Sequence, residues 1–474
     1  MSPDMSSGDG GPASAAEPAM ERQPATFFDI SAPAVATGAA FFMIVLDTSI
    51  VNLALARIGA ELHAGLATLQ WLVDGYLLVF ASLLLGAGAL GDRVGARVAF
   101  ACGLLVFTVA SACCGLAPSI GTLQIARIAQ GIGAALLLPN SLAALNSAFA
   151  DPDRRSKAIA LWASAGAAGV ALGPVLGGFL VETLGWRAIF IVNVPVGLMA
   201  LQLTHRRMAA GPRDRSRAFD PLGQLLSVGT LAAATYVLIG LGHPTAGGIP
   251  LGLAAAASLA FAIGFVAVET RHRSPMLPLD LLRRPALGPV ALVGLLHNAA
   301  IYGLIFVLSL AFQHLRGLNP LGAGLLFLPL TLALAIGTRG GALALRRCGP
   351  FGPLIWGHLA AAIGAFALAV LGGSLTAAGL TLPLVVIGAG AGATTPAMNL
   401  AALDSVSRAQ GGLASGVLNS ARQTGGVIGV AVLGALLGEP ATFIGAEAAE
   451  YVAAGLLCLA SALAVAAGKR QRSF

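Results

Sequence analysis

Residues 34–56 read AVATGAAFFMIVLDTSIVNLALA, an apolar stretch with one charged residue, Asp47. About 20 apolar residues in a helix cross the roughly 30 Å hydrocarbon core of a bilayer. Similar stretches recur almost to the end of the 474-residue chain, in which 57% of residues are hydrophobic and 10% are charged. Soluble proteins are about 25% charged. The sequence therefore predicts an all-α integral membrane protein.

The apolar stretches predict fourteen membrane spans in two groups of six with a central pair between them, a repeat typical of secondary transporters. The predicted spans are residues 34–56, 68–90, 98–117, 121–143, 157–180, 187–203, 221–241, 249–268, 286–311, 321–345, 353–372, 376–399, 411–437 and 448–467. The halves are then residues 34–203 and 286–467, the linker with the two additional spans is 204–285, and the cytoplasmic tails are 1–33 and 468–474. The first tail is rich in Ser, Gly, Pro and Ala and lacks the pattern of a signal peptide, so we expect it to be disordered.

Basic residues decide the orientation of the spans. With the N-terminus inside, the loop arginines and lysines cluster on the cytoplasmic side, and only Arg57, Arg187 and Arg316 remain outside. Such a bias is the positive-inside rule. Because these residues are spread over separate loops and form no single face, we expect no nucleic-acid partner.

The sequence offers no arrangement for metal binding or enzymatic catalysis. No P-loop, Ser/His/Asp arrangement or metal-ligand spacing occurs. We therefore expect no enzymatic activity and no metal. The five cysteines lie in or beside apolar segments, and we interpret them as helix-packing residues. They are Cys102, Cys113, Cys114, Cys348 and Cys458.

Asp47 is an acid near the middle of predicted span one, and Arg127 is a strongly basic residue inside span four, within LQIARIAQGIG at 123–133. A charge in the membrane interior is costly, so each should face a cavity or a counter-charge. We expect Arg127 to pair with Asp47, and Asp47 to bind and release a proton as its surroundings change. The alternatives are a purely structural ion pair, a snorkelling arginine, or an Asp47 that stays protonated. Asp74, in the outer part of span two, is a second candidate acid, equally compatible with a solvated or capping position.

Glycine patterns mark three further segments. GALGDRVGAR at 88–97 combines turn-forming glycines with an acid and arginines that can form breakable ion pairs at the cytoplasmic side. GVALGPVLGG at 169–178 places small residues on one helix face and a proline that bends the helix. We expect this flat, bent helix to lie between the halves. GVLNSARQTGGVIG at 416–429 is its weak counterpart in the second half.

Taken together, these segments resemble the major facilitator superfamily, in particular its fourteen-helix drug:proton antiporters of the EmrB/QacA type. The resemblance implies the major facilitator fold and proton coupling by Asp47 and Arg127, with Asp74 as the second acid. It also implies a cytoplasmic gate at Gly88, Asp92, Arg93, Gly95 and Arg97. The antiporter motif would be Gly169, Gly173, Pro174, Gly177 and Gly178. Ala96 and Arg346 depart from the family pattern, which has a basic residue at the first position and an acidic residue at the second. These departures suggest that the ion pairs closing the cytoplasmic side are weaker here.

In this architecture spans one, four, nine and twelve line a central cavity. Candidate substrate contacts are then His297, Asn298, Tyr302, Thr394, Thr395 and Asn399, with ordinary interhelical hydrogen bonding as the alternative role. The resemblance implies proton-driven efflux of amphipathic drugs or natural-product antibiotics by alternating access, in a bacterial plasma membrane. The proton gradient supplies the energy and no cofactor is needed. Uptake or exchange of a metabolite, or lipid flipping, is the competing reading. The sequence leaves the oligomeric state open, and a monomer is one interpretation.

Overall fold

A computed structural model describes residues 27–209, 213, 220–242, 249–272, 276–277, 279–282, 284, 286–407, 410–438 and 441–472. Most of the predicted N-terminal tail, residues 1–26, lies outside these ranges. The remainder of that predicted tail is already helical, because the first helix begins at Phe27.

Fourteen helices in the described residues are long and apolar enough to cross a membrane, which confirms the predicted number. They are α1 (Phe27–Leu62), α2 (Leu66–Val94), α3 (Ala96–Gly115), α4 (Ile120–Ala148), α5 (Pro152–Leu184), α6 (Ala188–Arg207), α7 (Pro221–Gly242), α8 (Leu251–Arg271), α9 (Leu287–Leu315), α10 (Pro320–Cys348), α11 (Phe351–Leu371), α12 (Thr381–Asp404), α13 (Gly411–Leu437) and α14 (Phe443–Arg472). The last five residues of α9, Ala311–Leu315, form a π-helical turn. No β-strand occurs in the described ranges, so the predicted all-α class is confirmed.

Polar caps fix where several helices begin. The Ser119 hydroxyl accepts a hydrogen bond from the Thr122 amide at the start of α4. Asp151 and Asn319 cap α5 and α10 in the same way, and each is followed by proline at the first helical position. Because these caps lie outside the apolar stretches, the helices are longer than the spans predicted from hydropathy.

The helices pack as two six-helix halves. In the first half α1 packs on α5 and α6, and α4 packs on α2 and α3. The second half repeats this pattern with the helix numbers raised by eight: α9 packs on α13 and α14, and α12 packs on α10 and α11. The shift is eight rather than six because α7 and α8 are inserted between the halves. α7 packs on α2 and α13, and α8 packs on α7.

The halves meet through α2 with α13, α5 with α10, and α1 with α9. Gln70 of α2 donates to the carbonyl oxygens of Val430 (3.1 Å) and Ala431 (3.0 Å) on α13. The Ser309 hydroxyl of α9 donates to the Asn52 carbonyl of α1 at 2.7 Å. In the predicted orientation, these hydrogen bonds lie in the exterior half of the membrane.

Candidate functional site

The two charged residues predicted to pair do so in the interior of the first half. Asp47 of α1 and Arg127 of α4 are both buried, and Arg127 Nη1 lies 2.5 Å from Asp47 Oδ2. Burial strengthens the attraction between the charges but also removes both from water, so such a pair requires further hydrogen bonds. The structure supplies them from Gln130 of α4 itself, from α2 and from α6.

Neutral amide side chains complete the surroundings of Asp47. Gln130 lies one turn after Arg127 and donates to Asp47 Oδ1 at 2.8 Å. Its oxygen accepts a hydrogen bond from Arg127 Nη1 at 2.7 Å, so Gln130 contacts both members of the ion pair. Asn193 of α6 approaches Asp47 Oδ1 at 3.4 Å, and Gln130 also donates to Ser111 of α3 at 2.9 Å. Sequence analysis missed Gln130, Asn193 and Ser111 because uncharged polar residues in apolar helices carry no distinguishing pattern.

Aromatic rings enclose the guanidinium of Arg127. Its Cζ lies 4.2 Å from the ring centroid of Tyr76 on α2 and 5.8 Å from that of Phe190 on α6. Arg127 Nε also approaches the Leu72 carbonyl at 3.4 Å. A cation is attracted to the face of an aromatic ring, and more strongly where water is absent. Arg127 therefore has neutral partners in addition to Asp47.

The surroundings of Asp74 differ from the solvated or helix-capping position that the sequence analysis considered. It is fully buried in α2, and neither carboxyl oxygen has a hydrogen-bond partner among the described residues. The solvated interpretation was wrong because the exterior ends of α2 and α13 pack closely at this level, where Gln70 reaches Val430. Asp74 is thus an isolated buried acid, in contrast to the well-partnered Asp47.

The predicted cytoplasmic gate divides between a turn and a helix surface. Gly95 lies between α2 and α3 with φ 99°, a conformation that favours glycine. Gly88 was predicted in the turn, but it lies within α2 facing Pro139 of α4. Arg97 donates to the His205 carbonyl at 2.8 Å, a contact within the first half, while Arg93 is exposed and Asp92 is half-buried.

The antiporter motif of α5 presents two faces to two different neighbours. Gly169, Gly173 and Gly177 lie directly against α1, within the first half. Gly178 instead lies against the Pro320 and Leu321 backbone of α10, across the boundary between the halves.

The part of α5 around Pro174 also faces α10. The Pro174 carbonyl lies beside Gly324 of α10. The expectation that the whole glycine face lies between the halves was therefore wrong for Gly169, Gly173 and Gly177. Glycines four apart define a helix face but not the helix that it meets.

The six candidate substrate contacts do not form one group. His297 Nδ1 lies 3.2 Å from His358 Nε2 of α11 and 3.4 Å from Thr394 Oγ1. The predicted residues His297 and Thr394 therefore belong to a buried cluster inside the second half. Thr395 bonds to the Ala391 carbonyl of its own helix, and Asn399 is exposed.

Asn298 and Tyr302 have a different neighbour on α13. Asn298 Oδ1 accepts a hydrogen bond from Arg422 Nε at 3.4 Å, and the Tyr302 ring packs over Gly426. Arg422 was quoted within the α13 segment but not selected as a site residue, although an arginine inside a span is a signal that could have identified it.

Comparison with known proteins agrees with this architecture. Residues 37–430 match the Major Facilitator Superfamily. The chain is 37% identical over 437 residues to the methylenomycin A resistance protein of Streptomyces coelicolor, covering 91% of this chain and 90% of that protein. It is 35% identical over 409 residues to the drug efflux pump JefA of Mycobacterium tuberculosis, covering 85% and 79%.

A solved structure shares the fold at low sequence identity. A POT family transporter in complex with 5-aminolevulinic acid matches with a TM-score of 0.70 and 14% identity, covering 93% of this chain and 97% of that one. At this identity the likeness concerns the fold alone.

The fourteen spans, the repeated halves and the buried charges of the first half define a multi-pass membrane transporter. The chain belongs to the major facilitator superfamily, and its relatives are of the drug:proton antiporter type that its motifs predicted. Members of this superfamily move small organic molecules across membranes and are not enzymes, which confirms the expectation that this protein is not an enzyme.

Proposed function

We propose that this protein exports amphipathic drugs or natural-product antibiotics from a bacterial cell across the plasma membrane, in exchange for protons. The buried Asp47–Arg127 pair is the observation that carries the proposal, because Asp47 is an ionisable acid placed in the membrane interior of a transporter. The relatives named for antibiotic resistance and drug efflux support the class of substrate and the direction.

Proton coupling requires that Asp47 be able to leave its ion pair. A proton on Asp47 cancels the attraction to Arg127 and would leave a buried, unpaired guanidinium, which costs about 3–5 kcal/mol in folded proteins. The Gln130 oxygen, the Leu72 carbonyl and the Tyr76 ring already contact Arg127 and can hold it when Asp47 is neutral. These neutral partners lower the cost of protonating Asp47, so that a proton can enter and leave within the transport cycle.

Asp74 is the second proton carrier in this proposal. An ionised carboxylate without any hydrogen bond is strongly disfavoured in an apolar interior, whereas the neutral acid is tolerated. The absence of partners among the described residues therefore supports a protonated Asp74 in this conformation. Opening of the contact between α2 and α13 would expose it to water and release the proton.

The distribution of contacts supports alternating access. Gly178 meets Pro320 near the exterior ends of α5 and α10, and Thr331 of α10 approaches the Ala171 carbonyl at 3.5 Å near mid-membrane. Closer to the cytoplasm α2 and α13 approach again, where Gly416 lies beside Leu85. Contacts near the exterior ends on both sides of the boundary are those expected of a transporter that is closed to the exterior in this conformation.

Transport into inverted membrane vesicles tests the proposal. An acidic vesicle interior, imposed without ATP, should drive accumulation of fluorescent drugs only when this protein is present, and a protonophore should abolish the accumulation. Accumulation that ignores the pH gradient would contradict proton coupling. Transport that proceeds only in the opposite direction would favour metabolite uptake.

A further inference from the structure

The second half also contains a cation inside a membrane span. Arg422 is the twelfth residue of α13, about 16 Å along the helix from its cytoplasmic end at Gly411. That distance exceeds the reach of an arginine side chain, so Arg422 cannot place its charge at the cytoplasmic interface. Its guanidinium remains ionised under all physiological conditions.

Arg422 has no ionised partner in the part of the chain that the structure describes. Arg127, by comparison, lies 2.5 Å from Asp47 and contacts a second polar side chain. The hydrogen bond that Arg422 makes to a side chain is a long one, 3.4 Å from Nε to the neutral oxygen of Asn298. Its positive charge is therefore not compensated by the protein around it.

The packing of α13 shows which way Arg422 faces. Gly425 and Gly429 lie against backbone carbonyls of α9, and Gly416 and Gly434 lie against side chains of α2 in the other half. With 100° of rotation per residue, Arg422 lies at the edge of the α9 face on the side nearer to α2. Its stem packs against Gly294 of α9.

Neighbouring side chains give this junction a polar, partly accessible character. Arg422, Asn419 and Gln423 are all half-buried, and the Gln423 oxygen has no hydrogen-bond partner among the described residues. One turn after Arg422, Gly426 lies between the Tyr302 ring of α9 and Leu77 of α2. Among the described residues, a cation without an ionised partner, an aromatic ring and the unpartnered Gln423 oxygen thus meet where the halves join.

We propose that Arg422 binds an anionic oxygen group of the exported molecule, a carboxylate or an ionised phenol. This inference rests on the proposed export function and specifies its substrates as amphipathic organic anions. A planar guanidinium binds a carboxylate through two parallel hydrogen bonds, and the bound anion supplies the missing counter-charge. Tyr302 offers an aromatic surface for the rest of the molecule.

Two fluorescent probes that share a ring system but differ in charge test the proposal: 9-anthracenecarboxylate and its neutral methyl ester, which is larger by one methyl group. We would measure the Kd of each for purified protein in nanodiscs at pH 7.5 without a proton gradient. Wild type should bind the carboxylate more tightly than the ester. Arg422→Gln should weaken carboxylate binding about tenfold or more, the typical value of charged hydrogen bonds, and change ester binding by less than about twofold.

Two further variants guard against misinterpretation. Arg422→Lys keeps the charge without the planar fork, so it should retain part of the preference for the carboxylate even if Arg422→Gln does not fold. Arg339→Gln, which removes an exposed arginine from α10, should leave both affinities unchanged.

Equal changes for both probes in the Arg422 variants, or a wild type without preference for the carboxylate, would overturn the assignment. Because binding is measured without a gradient, failure of pH-driven transport alongside charge-selective binding would count against the proposed function and not against this site.

Discussion

At the scale of single residues, Asp47 and Asp74 show how two acids in neighbouring helices acquire different surroundings. Asp47 receives hydrogen bonds from Arg127 and Gln130, whereas Asp74 has no hydrogen-bond partner among the described residues. Hydrogen-bond donors compensate a buried carboxylate, whereas a buried carboxyl group without partners lacks that compensation. The two acids therefore differ in the partners that the fold provides.

Gln130 provides a residue-scale prediction. Gln130→Leu removes the neutral acceptor that holds Arg127 when Asp47 is protonated, so pH-driven transport in vesicles should fall about tenfold. Gln124→Leu is the matched control on the same helix, because Gln124 lies one turn before Arg127 but donates to the Thr68 carbonyl of α2 and not to the ion pair. Similar transport by both variants at equal protein levels would show that Gln130 has no part in coupling.

At the scale of helices, the two faces of α5 predict two different defects. Gly173→Leu would collide with Ser49 of α1 and should lower the melting temperature, because it separates helices within one half. Gly178→Leu would collide with the α10 backbone and should push the exterior ends of the halves apart. Both variants should lose transport, as close helix packing through small residues requires.

Labelling separates the two defects. In a protein whose native cysteines are replaced by serine, Ser309→Cys lies buried at the exterior contact between α1 and α9. An impermeant maleimide added outside should label it several-fold faster when Gly178→Leu is also present. Gly173→Leu should not have this effect, nor should Gly121→Leu, whose side chain would enter open space. Equal rates in all three would refute the assignment of Gly178 to the boundary.

Sequence patterns predicted where the helices lie in the chain better than they predicted which helices contact each other. Apolar length and loop charge were sufficient for fourteen spans, and the scarcity of charge inside the spans singled out Asp47 and Arg127 as partners. The pairing of Gly178 with Pro320, and of His297 with His358, depends on which helices meet. That information is absent from local periodicity, so the cavity residues were chosen by resemblance. Four of them, His297, Asn298, Thr394 and Thr395, form hydrogen bonds within the second half.

At the scale of the whole molecule, the inserted helices α7 and α8 lie on one side of the boundary between the halves. Gln224 of α7 donates to the Ser82 carbonyl of α2 at 2.5 Å, and Gly242 packs against Ala435 of α13. α7 therefore contacts both halves on the side where α2 meets α13. The opposite side, between α5 and α10, has no inserted helix in the described residues.

Topology is the prediction that belongs to the whole molecule. The loop arginines predict that both termini are cytoplasmic and that Gly242 and Leu371 lie outside. Alkaline phosphatase fused after either residue should therefore be active. Fusions after Arg207 or Cys348 should be inactive, and green fluorescent protein fused at the same two positions should fluoresce. Phosphatase activity with the reverse pattern would invert the molecule and the direction of every step proposed for it.

Proton coupling through Asp47 is the central claim, and comparison of wild type with Asp47→Asn in inverted or reconstituted vesicles tests it most directly. Asparagine nearly preserves the shape of Asp47 but cannot bind and release a proton. We predict that the variant inserts normally and still exchanges labelled substrate for unlabelled substrate without a gradient, while pH-driven accumulation falls to the background of vesicles lacking the protein. Undiminished pH-driven accumulation by Asp47→Asn, at equal protein, would contradict the account and make Asp74 the acid to test next.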